Sequence, residues 1–216
     1  MDSGRAEEII DRIRNIGDTS LEFLWQSLCV SDDEFSQIYP ESIRKLSRRN
    51  WTPIGIAKMA AEFLVPFSGM RVLDIGSGAG KFCMVGSIYT PGYFTGVEQR
   101  NSLVELSNKL IESYFIKNVN IIHSNITEIS FSDYDSFYFY NPFYEHIDRS
   151  ALIDSSIEIN PLLYKSYSNY VYEQLSVAKK GTRLVTYWDG LHEFPLGYEL
   201  QSSAYMDLLK FWIKKK

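Results

Sequence analysis

Apolar positions in this chain follow a helical period over the first third and then alternate between strand and helix patterns. "EEIIDRIRNI" puts Ile9, Ile10, Ile13 and Ile16 on one face, and "SLEFLWQSL" and "PESIRKLSRR" keep helical spacing. In "SDDEF", Ser31 or Asp32 offers an N-cap for another short helix. "WTPIGIAKMAAEFL" predicts a helix capped by Thr52, with Pro53 at its first position and Pro66 and Gly69 ending it. From Met70 the period switches. "MRVLDI", "YFTGVE", "VNIIHS", "YDSFYFYNPF" and "TRLVTYW" read as strands. "GKFCMVGSIY", "NSLVELSNKLIESYF" and a helix between Ile157 and Lys179, broken near Pro161, read as the connections. "YELQSSAY" and "MDLLKFWIKK" close the chain as two strands without a helix between them.

Strands alternating with helices wind a parallel sheet by right-handed crossovers, and a final hairpin adds antiparallel strands. The expected fold is therefore α/β. It has a seven-stranded, mostly parallel sheet with an antiparallel C-terminal hairpin, helices on both faces and an N-terminal helical extension. The extension, residues 1–50, is expected to cover a domain spanning residues 51–216.

At 216 residues, 45% hydrophobic and 15% aromatic, the chain can bury a sizeable core. A net charge of −5 argues against a surface devoted to phosphate backbones. Arg44, Lys45, Arg48 and Arg49 cluster, as do Lys214, Lys215 and Lys216, but a solvated face explains such groups equally well. Cys29 and Cys83 have neither metal-ligand nor disulfide-framework spacing. Cys83 reads as a small buried hydrophobe. With no apolar run of membrane-spanning length and a charged, amphipathic start, a cytoplasmic chain is expected.

The chemistry centres on "VLDIGSGAGKF", residues 72–82. A dinucleotide turn needs a third glycine three positions after the second, and Lys81 stands there instead. A Walker A loop needs a longer span and a hydroxyl where Phe82 stands. What remains is a strand-to-helix turn in which Gly76 and Gly78 bring bare backbone close to a ligand. Asp74 is placed to orient that turn or to accept from a ligand ammonium. The next strand ends in Glu98, 24 positions later, where a carboxylate can accept from both hydroxyls of a ribose. The third delivers Asn125, whose amide suits the edge of an adenine.

"VLDIGSGAGKF", "GVEQR" and "SNITEI", in that order, resemble the first three motifs of class I S-adenosylmethionine-dependent methyltransferases. The likeness runs from about Met70 to the C-terminus. It implies a Rossmann-like fold, S-adenosylmethionine as cofactor, and the methionine portion held by Asp74 and the turn containing Gly76, Ser77, Gly78 and Gly80. It implies Glu98 on the ribose, Asn125 near the adenine, and Gln99 and Ile126 beside them as cofactor-binding residues; an aspartate is commoner where Asn125 stands. "YNPFYEH" is similar to the Asn-Pro-Pro-Tyr/Phe motif of enzymes that methylate planar amino groups. The likeness assigns Asn141, Pro142, Phe143 and Tyr144 to the methyl acceptor, with Asn141 also near the cofactor. Phe143 departs from the motif's second proline. Thr52-Pro53 matches a pair that often precedes the first strand in the same enzymes, close to the methionine end of the cofactor.

The implied activity is transfer of the sulfonium methyl to an acceptor nucleophile, with nitrogen expected. The acceptor is a protein, a nucleic acid or a small molecule, since the first two motifs also resemble those of seven-strand lysine methyltransferases. Two alternatives stand beside it: a cofactor-binding relative without catalysis, and an NAD-dependent oxidoreductase, disfavoured by Lys81. His123, His146 and His192 lack metal-ligand spacing, and no metal is expected. Glu145 is expected to be exposed and His146 to be a surface or packing residue near the substrate mouth. Trp188, Asp189 and His192 are secondary substrate-side candidates, and "YKSYSNYVYEQ" reads as a half-buried helix.

Overall fold

The computed structural model describes residues 31–188 and 195–216, without the side chains of residues 48 and 49. The two helices expected before residue 31, and Asp189 and His192, lie outside the described residues. Among the described residues, a short helix at Asp32–Phe35 capped by Ser31 precedes five longer ones, α1 (Glu41–Asn50), α2 (Ile54–Leu64), α3 (Lys81–Tyr89), α4 (Asn101–Ser113) and α5 (Pro161–Ser176), which pack around seven strands. The strands are β1 (Arg71–Ile75), β2 (Tyr93–Glu98), β3 (Val119–His123), β4 (Ser136–Phe139), β5 (Arg183–Tyr187), β6 (Tyr198–Ala204) and β7 (Leu209–Lys214). They form one sheet in the order β3-β2-β1-β4-β5-β7-β6. The first five run parallel, and β7 pairs antiparallel with both β5 and β6.

Central strands are buried on both faces, which is why they read as apolar runs rather than as alternations. Their side chains divide between two cores. Val72, Phe94, Tyr138 and Val185 point to one face, where α2, α3 and α4 pack. Leu73, Val97, Phe137, Phe139 and Leu184 point to the other, under α5. Rings consolidate the first core, where Phe82 stacks on Tyr138 at 3.9 Å between centroids.

Two helix starts differ from the pattern. Thr52 does not cap α2; its hydroxyl is paired with the Tyr138 hydroxyl at 2.9 Å. The Ile54 amide instead donates to Asp32 Oδ1 at 3.0 Å. A carboxylate thus serves the helix start from a separate segment, and the same oxygen pairs with the buried Lys81 ammonium. Pro161 does not break a helix but opens α5 at a position that needs no amide, with Asn160 Oδ1 accepting from Leu162 N.

The segment before α2 is part of the same core, because Phe35, Tyr39 and Trp51 pack in succession against it. The Tyr39 hydroxyl donates to the Ala79 carbonyl at 3.0 Å, tying this segment to the glycine turn.

Candidate active site

Leaving β1 the chain winds outward to β2 and β3, then returns to lay β4 on the opposite side of β1. Crevices of doubly wound sheets open at such a reversal, outside the carboxyl ends of the strands. Here lies a cavity of about 350 Å³. Its wall contains Gly76, Gly78, Glu98, Gln99, Asn125, Ile126, Asn141, Pro142, Phe143 and Tyr144, joined by Trp51 and Arg100. Thr52, Asp74, Ser77 and Gly80 are buried and do not line the cavity.

The turn after β1 needs its glycines twice over. Gly76, Gly78 and Gly80 have φ of +76°, +54° and +73°, in the left-handed region that side chains avoid. Protein atoms also fill the space a Cβ would take. At Gly76 it would lie 2.2 Å from Pro142 Cβ; at Gly78, 2.4 Å from Trp51 Nε1; at Gly80, 3.3 Å from the Ser107 side chain. Bare backbone was expected to make room for a ligand, but these glycines also admit the turn after β4, the Trp51 indole and α4. Ser77 N donates to the Val97 carbonyl at 2.9 Å, locking the turn to β2.

Glu98, 6% exposed, ends β2 inside the cavity. Its Oε2 accepts from Gly78 N at 3.1 Å and its Oε1 from Arg100 N at 2.8 Å. Burial raises its pKa against those amides and the Arg100 charge. A carboxylate has about four acceptor positions, so each oxygen retains capacity for one more donor. Asp74 sits deeper, with the Cys83 thiol 3.5 Å from Oδ2. Burial pushes its carboxyl up to about 7, with the Glu98 charge adding to the rise and the thiol opposing it.

Arg100 was not among the expected site residues. Its side chain is 2% exposed, and three carboxylates surround it: Glu145 at 2.7 Å, Asp154 at 3.1 Å and Glu98 at 3.8 Å. Glu145, expected at the surface, is 6% exposed because it completes this network. The guanidinium therefore joins the end of β2 to the segment after β4. His146 is buried as well; its Nδ1 accepts from Asn160 N at 3.3 Å, and burial lowers its pKa. The signal in the sequence was faint. An arginine two positions after the strand-ending acid, with acids at 145 and 154, only makes sense once β2 and the later segment are neighbours.

Asn125 makes three hydrogen bonds within the fold and keeps one Nδ2 hydrogen beyond them. Its Oδ1 accepts from Thr127 N at 3.0 Å and from the Thr127 hydroxyl at 2.9 Å, and its Nδ2 donates to the Tyr167 hydroxyl at 2.8 Å. At the end of β4, Asn141 has φ of +35°, and its buried Oδ1 has no hydrogen-bond partner. Phe143 turns inward against Phe139 and Tyr167, with centroids at 6.0 and 5.4 Å. Tyr144 and Trp188 line the cavity and are exposed, whereas Phe143 lines it but is buried. Trp188 has φ of +52°.

A family model described as "Methyltransferase domain" matches residues 66–207. A comparison with curated proteins finds no match. Among solved structures, this chain is similar to TrmN from Thermus thermophilus, at 13% identity and a TM-score of 0.54, over 80% of this chain and 52% of that one. It is similar to the putative methyltransferase yhhF from Escherichia coli, at 11% identity and a TM-score of 0.53, over 74% and 86% of the two chains. The YcgJ protein from Bacillus subtilis matches at 18% identity and a TM-score of 0.45, over 61% of this chain and 49% of that one. The chain thus spans about half the length of two of these three proteins. Among the described residues, no helix is long and apolar enough to cross a membrane.

Proposed function

This chain belongs to the methyltransferase domain family, and on that premise we propose that it transfers a methyl group from S-adenosylmethionine to a nitrogen of its acceptor. The observation that carries the choice of nitrogen is the Asn141 side-chain oxygen, buried in the cavity wall with no hydrogen-bond partner. An orphaned acceptor of this kind costs free energy unless a donor arrives, and an N–H on the acceptor supplies one.

The residues present suit the cofactor. Glu98 keeps one acceptor position on each oxygen for the two ribose hydroxyls, and Gly78 and Arg100 amides hold that carboxylate in place. Arg100, clamped by Glu145 and Asp154, keeps the segment after β4 in register with Glu98. Bound, the cofactor supplies a sulfonium-activated methyl group, which leaves the protein chiefly to align donor and acceptor. Asn141 accepts the N–H and so aims the nitrogen lone pair. Tyr144 and Trp188, exposed rings of the cavity lining, take a flat acceptor group by its faces. Pro142, packed on Gly76, holds the turn that carries Asn141 against the glycine turn.

The test is methyl-labelled cofactor incubated with fractionated extract (protein, RNA and small molecules), with wild-type chain and Asn141→Ala. Label should enter one fraction, on nitrogen, with at least tenfold less incorporation by the variant at unchanged S-adenosylhomocysteine affinity. Label on oxygen or carbon, or equal incorporation by both chains, would reject the nitrogen assignment.

A further inference from the structure

Lys81 is a buried cation at a place that disfavours one. It opens α3 directly after the glycine turn, and its side chain is 2% exposed. A helix start is the positive end of the helix, so an ammonium buried there needs an anion beside it. The carboxylate that meets it stands 49 positions earlier. Asp32 Oδ1 pairs with Nζ and also accepts from the Ile54 amide at 3.0 Å, so one oxygen joins the first residues of α3 and α2. The Phe35 ring, on the same short helix as Asp32, lies 5.6 Å from that ammonium. Asp32 itself is 48% exposed, so the anionic half of the pair stands at the surface and the cationic half inside. Two further contacts follow along the same segment. The Tyr39 hydroxyl donates to the Ala79 carbonyl, and Trp51 lies against Gly78. Residues 31–51 therefore meet Lys81, Ala79 and Gly78 in turn, and they end as part of the cavity wall at Asn50 and Trp51.

We propose that Asp32 is a positioning residue for the cofactor: it latches residues 31–51 onto the glycine turn through Lys81, and only the latched segment completes the cavity. This rests on S-adenosylmethionine as the cofactor. Without the Asp32 charge the buried ammonium loses this partner. Water reaches it when the segment lifts, which takes Asn50 and Trp51 out of the wall. A ligand that needs the complete cavity then loses affinity in proportion to the chains no longer latched. In return, the bound ligand holds the latch closed.

Isothermal titration with S-adenosylhomocysteine tests this on wild-type chain, on Asp32→Asn, and on Asp32→Asn combined with Lys81→Met. Asp32→Asn keeps an oxygen for the Ile54 amide and removes only the charge, and it should weaken binding about tenfold. The double variant removes the stranded ammonium as well and should return to within about threefold of wild type. A packing role for Asp32 predicts no such rescue. Unchanged affinity in Asp32→Asn, or a double variant as weak as the single one, overturns the proposal. A wild-type measurement covers a variant that fails to fold. The Ile54 amide is bonded to Asp32, and the Ala57 amide to the Pro53 carbonyl at the same helix start. With S-adenosylhomocysteine bound, hydrogen exchange at Ile54 should slow by about threefold more than at Ala57; equal slowing at both amides, or none, also overturns the proposal. A wild-type chain that binds no S-adenosylhomocysteine rejects the cofactor reading, and Asp32 loses its role with it.

Discussion

Removing Arg100 should damage this molecule more than removing any one of its acidic partners. The guanidinium is 2% exposed, and among its carboxylates Glu98 and Glu145 are each 6% exposed. Arg100→Ala leaves those two buried negative charges facing each other with no cation, and breaking a buried pair from one side costs about 3–5 kcal/mol. Glu145→Gln is milder. Arg100 keeps Asp154 at 3.1 Å and Glu98 at 3.8 Å, so the loss is that of one charged hydrogen bond, about 1.5–3 kcal/mol. Urea unfolding of the two variants, followed by far-ultraviolet dichroism, measures both costs. An Arg100→Ala cost below about 1 kcal/mol, or one no greater than that of Glu145→Gln, would refute the argument that one guanidinium ties three carboxylates together.

Asp74 gives a pH signature. Its carboxyl lies at about 7 in the fold against an ordinary 3.8, so between those values the native chain holds a proton that the unfolded chain has released. Stability contributed by this group therefore falls as pH rises from about 4 to 7, by up to roughly 4 kcal/mol. Asp74→Asn should flatten that slope, raising Tm more at pH 8 than at pH 5; the same change in Tm at both pH values would contradict it. Glycine-to-alanine changes in the turn should rank by what they strike. All three incur left-handed backbone strain of about 1–2 kcal/mol. Gly76→Ala and Gly78→Ala also meet Pro142 and Trp51 at 2.2 and 2.4 Å, whereas Gly80→Ala meets Ser107 at 3.3 Å, so Gly80→Ala should be the least costly in denaturant titration. Tyr144→Ala and Trp188→Ala should leave S-adenosylhomocysteine affinity within about twofold while lowering methyl incorporation severalfold, because both rings are exposed in the cavity lining. Loss of cofactor affinity in calorimetry would move them out of that role.

The sheet was legible because parallel strands buried on both faces leave short apolar runs, and helical spacing between them marks the crossovers, although not the order in which the strands lie. The glycine turn and the acid ending β2 were legible because both are local patterns. What escaped notice was every feature made by distant residues meeting. Asp32 serves the α2 amide that Thr52 was expected to cap, since the Thr52 hydroxyl is taken by Tyr138. Glu145 reads as a surface acid until Arg100 is brought beside it. Asn125, placed near the adenine by the resemblance, lines the cavity and also bonds Thr127 and Tyr167, pairings its own motif does not show. Trp51 looked like the lead-in to a helix, and only its approach to Gly78 reveals it as part of the wall. Phe143, counted with the acceptor residues from its place in a motif, is turned into the core by Phe139 and Tyr167.

The account stands or falls on what Glu98 holds. Calorimetric titration of wild-type chain and Glu98→Ala with S-adenosylhomocysteine, in competition with NADH, measures it most directly. We expect saturable binding by wild type that NADH does not displace, and an affinity lower by about 1.5–3 kcal/mol in the folded variant. Undiminished affinity in Glu98→Ala, or displacement of the ligand by NADH, would contradict it.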